Sequence, residues 1–242
     1  MLALLGVALG GCEAFSPESA GTLQLSEHLL AGAPELDPLG FQPLQRTQEE
    51  VLAEHAGQRA MVVAREVITV QGNPAIWSLG DSGDLLASVA TAAQGQPEQT
   101  VRVLRGDKTI FETPAGLPSP VLPLQGLWTY NGHWALEILF ADPSTWAGEV
   151  FVDGELVNGL NRYDEAFGLQ LLAGKPFFFY LRNGHVGYSY DGQETELDYD
   201  EVPHYRCCSE SVLNPVQSQN MVAYFAVREK TWFYVELGVF EE

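Results

Sequence analysis

Basic residues are scarce in this chain. Twelve Lys and Arg face 32 Asp and Glu, a formal charge of −20 over 242 residues. A surface of that sign repels nucleic-acid phosphates and anionic head groups, so no nucleic-acid partner is expected. The acids are scattered rather than clustered. Solubility outside the cell accounts for them, and a cation-binding surface is the sharper alternative. Cysteine is rare too, with only Cys12, Cys207 and Cys208 present. After residue 12 no segment is long and apolar enough to cross a bilayer as a helix. No Gly-x-Ser-x-Gly occurs, so the nucleophile elbow of one large hydrolase class is missing.

Aromatics make up 11% of residues and crowd into the second half, while 24 Gly and 14 Pro imply many turns. The length fits one large β domain or two small ones, with ample material for a core.

Residues 1–11 read Met-Leu-Ala-Leu-Leu-Gly-Val-Ala-Leu-Gly-Gly, apolar and uncharged. That run is too short for a membrane span, which needs ~20 residues, but it matches the apolar region of a signal peptide. Leu9-Gly10-Gly11 then leads into Cys12. A leucine and two small residues before a cysteine resemble the lipobox of bacterial lipoproteins. The resemblance covers only the first dozen residues. It implies cleavage before Cys12, acylation of its thiol, and an extracytoplasmic body tied to the membrane by lipid alone. No Lys or Arg precedes Cys12, so the basic start of such a signal would lie before Met1. Residues 12–21 are small, polar and breaker-rich, the composition of a flexible tether.

Residues 22–60 form a mixed segment. Thr47-Gln48-Glu49-Glu50 fits a capping box, which predicts one short helix ending at Gly57; Pro34, Pro38 and Pro43 predict irregular chain before it. From residue 61 to 242 the pattern is all-β. Strands are expected at 61–70, 76–79, 85–92, 100–105, 109–112, 134–140, 149–152, 177–182, 186–190, 222–228 and 232–237. The prolines within 117–124 exclude a central strand there. Asn183-Gly184 and Glu229-Lys230 mark tight hairpins.

A weak repeat runs through the second half. Val150-Phe151-Val152-Asp153-Gly154 resembles Tyr188-Ser189-Tyr190-Asp191-Gly192, and each is followed by a Tyr-Asp-Glu: residues 163–165 and 199–201. Long strands starting near Trp134, Phe177 and Met221 recur at about 43 residues, the order expected of propeller blades. The expected architecture is a small β-propeller-like array of antiparallel hairpin units, four or five blades, closed by N-terminal strands. A β-sandwich or barrel is the alternative.

Chemistry-bearing residues gather in three groups. His204-Tyr205-Arg206-Cys207-Cys208 holds the only thiols left once Cys12 is acylated. Outside the cytoplasm they can close a strained vicinal disulfide, because neighbouring Cα atoms sit ~3.8 Å apart. They can also stay reduced and buried, or join His204 and a distant His185 or His133 around a metal, although adjacent cysteines are poorly spaced for zinc. Trp128, Tyr130, His133, Tyr163, Tyr199, His204 and Tyr205 are the candidate ligand-binding set, since aromatic walls with polar tips suit a sugar or other flat ligand. Asp164, Glu165, Asp200 and Glu201 are the carboxylates a glycoside hydrolase would need. Asp153-Gly154, Asp191-Gly192 and Arg105-Gly106-Asp107 read as turns before they read as calcium or adhesion motifs. No cofactor is implied. The function expected is a non-catalytic binding or scaffolding lipoprotein, with an extracytoplasmic glycan-active hydrolase as the alternative.

Overall fold

The structure, a computed structural model, describes residues 23–33, 66–91, 98–205 and 214–239. Cys12, the 12–21 tether, the 47–57 helix, and Cys207 and Cys208 lie outside the described residues.

The described chain is all-β, in several antiparallel sheets of which none closes on itself. In order the strands are β1 (Gln24–Leu29), β2 (Ile68–Val70), β3 (Asn73–Trp77), β4 (Leu79–Gly80), β5 (Leu85–Thr91), β6 (Gln99–Arg105), β7 (Lys108–Gly116), β8 (Leu124–Tyr130), β9 (His133–Ala141), β10 (Trp146–Val152) and β11 (Glu155–Leu156). One short helix, α1 (Val157–Asn161), follows. Then come β12 (Glu165–Leu172), β13 (Lys175–Arg182), β14 (His185–Tyr190), β15 (Gln193–Glu196), β16 (Val216–Gln217), β17 (Met221–Arg228) and β18 (Thr231–Gly238).

These strands fall into four successive meanders. The first is β3, β5, β6 and β7, with β2 at its edge. The second is β8 to β11, and the third β12 to β15. The fourth is β16, β17 and β18, and β1 supplies its last strand, pairing antiparallel with β18 from Gln24↔Gly238 to Leu29↔Phe233. The first two meanders join into one ten-stranded sheet through two short parallel contacts, Gly116↔Ala141 and the pairing of β4 with β8 at Leu79↔Trp128 and Gly80↔Thr129. Gly116 has φ +70, and a Cβ on it would stand 1.9 Å from the Ala141 carbonyl oxygen, so only glycine allows this approach.

Each meander packs a face on the next. Val101, Val103 and Leu85 of the first meet Leu127, Leu136 and Ile138 of the second. Trp128, Ala135 and Val150 of the second meet Ala166, Leu169 and Tyr180 of the third. Phe167, Phe177 and Phe179 of the third meet Val222, Tyr224 and Val235 of the fourth. Full burial of each such phenylalanine contributes about 2–3 kcal/mol. The sequence pattern follows from these layers. In β6 Val101 and Val103 point inward and Arg102 outward, because its other face meets solvent. Strands β9 and β17 are buried on both faces and therefore read as nearly continuous apolar runs.

Most expected strands are present with longer ends. Residues 109–112 extend to the nine-residue β7, and no strand lies between Gly116 and Leu124. Sequence patterning missed β1, β8, β11, β12, β15, β16 and α1. Strand β1 lies inside the 22–60 segment, so that segment contributes a strand to the body that follows residue 61. Its pattern Gln-Leu-Ser-Glu-His-Leu is that of a polar edge strand, with Leu25 and Leu29 exposed.

Because Gln24 pairs with Gly238, the start of β1 lies beside the end of β18. A two-residue Asn-Gly turn would join them as an ordinary hairpin. A permuted chain carrying residues 23–33 after Val239, and lacking them at the front, should melt cooperatively near the parent temperature. A parent-like melt from a chain lacking β1 altogether would show that the β1–β18 pairing contributes little.

Candidate functional site

The two Tyr-Asp-Glu segments do the same structural job in consecutive meanders. The Asp164 carboxylate accepts the Asn183 backbone N–H at 2.7 Å, holding the β13–β14 turn. The Asp200 carboxylate accepts the Glu229 N–H at 2.7 Å, holding the β17–β18 turn. Asn183 and Gly184 have positive φ, as a primed hairpin turn requires, and so do Glu229 and Lys230, which lack the glycine.

The tyrosines match as well. Tyr163 stacks on Tyr180 with centroids 4.5 Å apart, and its hydroxyl donates to Glu194 at 2.6 Å. Arg182 lies 5.7 Å above the Tyr163 ring and pairs with Glu194 at 2.8 Å. In the fourth meander the Tyr199 hydroxyl donates to Glu27 of β1, and Arg228 lies 5.6 Å from the Tyr199 ring and pairs with the same Glu27 at 2.9 Å. Burial alone would raise the Glu27 carboxyl, but the bonds from Tyr199 and Arg228 outweigh it and hold Glu27 below the usual carboxylate range. Burial and the Glu27 bond push the Tyr199 phenol well up. These acids and tyrosines are thereby committed to the fold.

A cleft of about 430 Å³ opens where the second meander meets the third. Its wall includes Trp146, Glu165, Asp200, Glu201, His204 and Tyr205. The loop before β10 is shaped by Asp142, whose carboxylate accepts the Ser144 and Thr145 N–H groups at 2.6 and 2.8 Å. His204 stacks flat on Phe167, centroids 3.4 Å apart. Its Nε2 lies 3.0 Å from Glu165 Oε1, and its Nδ1 lies 2.6 Å from the Val202 carbonyl oxygen. Glu165 Oε1 also accepts the Gly148 N–H at 2.8 Å.

Glu137 lies under this cleft, 3% exposed, on β9. Strand β12 carries a bulge between Phe167 and Gln170, which takes Gly168 and Leu169 out of its ladder with β13. The Glu137 carboxylate accepts both of their N–H groups, at 3.0 and 2.6 Å. It also accepts the Tyr205 hydroxyl. One carboxylate thus ties β9, the β12 bulge and the His204-Tyr205 segment together. A lone acid in the apolar run Trp-Ala-Leu-Glu-Ile-Leu was the signal that would have revealed it.

The remaining candidates lie elsewhere. Tyr130 and His133 flank the β8–β9 turn, with His133 Nδ1 2.6 Å from Asp153 Oδ2 and the two rings 5.8 Å apart. That turn is at the opposite end of β9 from Asp142, about 25 Å away along the strand. Trp128 is buried and donates its Nε1–H to the Leu169 carbonyl at 3.1 Å. Of the candidate ligand-binding set, His204 and Tyr205 share a cleft, whereas Trp128, Tyr130 and His133 do not line it. Among the described residues no cluster of His, Cys, Asp and Glu is arranged to hold a metal ion, and no helix is long and apolar enough to cross a membrane. No protein-family model and no curated protein sequence matches the chain.

Two stability tests follow from these bonds. Tyr199→Phe should cost about 1–2 kcal/mol in urea unfolding. Since the folded value of Glu27 is depressed, its contribution is complete above the ordinary carboxylate value and is lost as pH falls through the lower folded one. Glu27→Gln should therefore be destabilised at neutral pH and lose less stability than the parent between pH 7 and about pH 3. For the buried carboxylate, Glu137→Ala strands three donors and should cost about 3 kcal/mol or more, with Glu137→Gln milder because one acceptor remains.

Proposed function

We propose that this chain is a non-catalytic binding or scaffolding lipoprotein, anchored outside the cytoplasm to the bacterial envelope through lipid on Cys12. The binding surface proposed is the cleft walled by Trp146, His204 and Tyr205. The observation that carries this reading is the commitment to structure of two of the cleft's three carboxylates, Glu165 and Asp200. Glu165 is held by His204 and by the Gly148 N–H, and Asp200 by the Glu229 N–H. A general acid or base needs a carboxyl free to exchange protons with substrate. An aromatic wall with fixed polar tips instead suits recognition of a flat, hydroxylated ligand such as a glycan.

The architecture proposed is a small propeller-like array of four blades, one per meander. Three features support it. Strands at Trp134, Phe177 and Met221 recur as second strands of their units, consecutive units pack face to face, and β1 completes the last one. The turns Asp153-Gly154 and Asp191-Gly192 join third to fourth strands in their units, as the sequence repeat implied.

A second reading is favoured by one observation: Glu165, Asp200 and Glu201 all line the same cleft, as the carboxylates of a glycan hydrolase would. Incubation with a panel of soluble polysaccharides separates the two. Retention weakened by Trp146→Ala, with no release of reducing ends, is the expected result. Release of reducing ends that disappears in Glu201→Gln would establish the hydrolase instead. Anchoring is tested separately: labelled palmitate should enter the parent and not Cys12→Ala, and absence of label from both would remove the lipoprotein reading.

A further inference from the structure

A second cavity, of about 190 Å³, lies away from the His204 cleft, where the chain entering β2 and the ends of β3 and β4 approach β8 and β16. Ile76 and Leu79 give it apolar walls, Trp128 and Trp77 give it aromatic ones, and Glu66, Gln125 and Gln217 contribute polar groups. Trp77 is 51% exposed at this cavity, whereas Trp128 is buried.

Charge is what distinguishes this cavity. Trp128 Nε1–H donates to the Leu169 carbonyl at 3.1 Å, and Gln217 Nε2 donates to the same oxygen at 3.2 Å. The Gln125 amide, also in the lining, donates to the Leu122 carbonyl. The charged group of the lining is the Glu66 carboxylate, and the residues lining the cavity include no Lys or Arg. A cation is met by negative charge and π faces, and its attraction to a tryptophan face strengthens as water is excluded.

We propose that this cavity binds a small organic ammonium ion. Its apolar body packs on Ile76, Leu79 and the indoles, and its charge is met by Glu66 and the Trp77 face. A cavity of about 190 Å³ is on the scale of one small organic ion rather than of a peptide. The net charge of −20 raises the local concentration of any such cation.

Titration of the full chain by intrinsic tryptophan fluorescence and calorimetry tests this, with choline chloride as the probe. Controls are sodium chloride, 3,3-dimethylbutan-1-ol (the neutral isostere of choline) and methyl β-glucoside. Choline is expected to bind saturably, at least ~10-fold more tightly than the neutral isostere. Trp77→Ala and Glu66→Gln should each weaken choline at least ~10-fold while keeping the parent's melting curve. Trp77→Phe, which keeps a π face, should recover part of the loss. The proposal is overturned by equal affinity for choline and its isostere, by tighter binding of the glucoside, by no saturable choline signal up to ~50 mM, or by unchanged choline affinity in Trp77→Ala.

Discussion

The Glu137 carboxylate is the constraint on which the His204 cleft depends. A carboxylate so deeply buried is costly unless donors surround it. Here the donors come from a defect in a neighbouring strand. The bulge in β12 takes two backbone N–H groups out of their ladder, and Glu137 accepts both. The same acid accepts the Tyr205 hydroxyl, so the segment carrying His204 is pinned over the bulge. Phe167, at the edge of the bulge, then offers the flat ring on which His204 stacks. Each irregular feature satisfies another. A regular β12 would leave the carboxylate short of partners, and an apolar residue at 137 would strand two backbone donors.

The outer parts of the third and fourth meanders are held by a repeated unit of tyrosine, arginine and glutamate. In the third meander the glutamate is Glu194, on β15, which directly follows β14 in the chain. In the fourth it is Glu27, on β1, roughly two hundred residues earlier than Arg228. The register is the same: Glu194 stands opposite Ser189, and Glu27 opposite Val235, each four positions beyond the residue paired with its arginine. Strand β1 therefore occupies in the last meander the place β15 occupies in the one before. The unit's electrostatics suit a strand that must be held from a distance in sequence, because an ion pair reinforced by a phenol fixes register as well as position.

How much of this was legible beforehand depended on whether the signal was local. Strand β9 and strand β17 were readable because both faces are buried, which leaves an unbroken apolar run. The hairpins at Asn183-Gly184 and Glu229-Lys230 were readable as separators between strands. The Tyr-Asp-Glu repeat was visible, but not its structural part: Asp164 and Asp200 hold turns, and Tyr163 and Tyr199 donate to glutamates. Strand β1 was hidden because an exposed edge strand needs few apolar residues, and its partner lies at the other end of the chain. Strand β12 was hidden because its bulge breaks the two-residue alternation. Trp128 and His133 were grouped with His204 but do not line its cleft, for a geometric reason. Repeat-equivalent loops can sit at either end of a strand, and sequence spacing alone does not say which.

The excess of acid also takes on a more specific form. Asp164 and Asp200 hold turns, Glu27 and Glu194 hold outer strands, Glu137 holds a bulge, and Asp142 shapes the loop at the cleft. All six act as acceptors for N–H or O–H donors of the chain itself. A carboxylate can do this many times over without a matching base, because backbone N–H groups and tyrosine hydroxyls are neutral donors. The shortage of Lys and Arg is therefore compatible with a well-bonded fold, and the few arginines that are present go where charge matters most. Arg182 and Arg228 stand at equivalent ends of β13 and β17, each bridging an aromatic face and a glutamate. The acid that remains outside such bonds sets the character of the surface, a negative potential that repels anions and attracts cations.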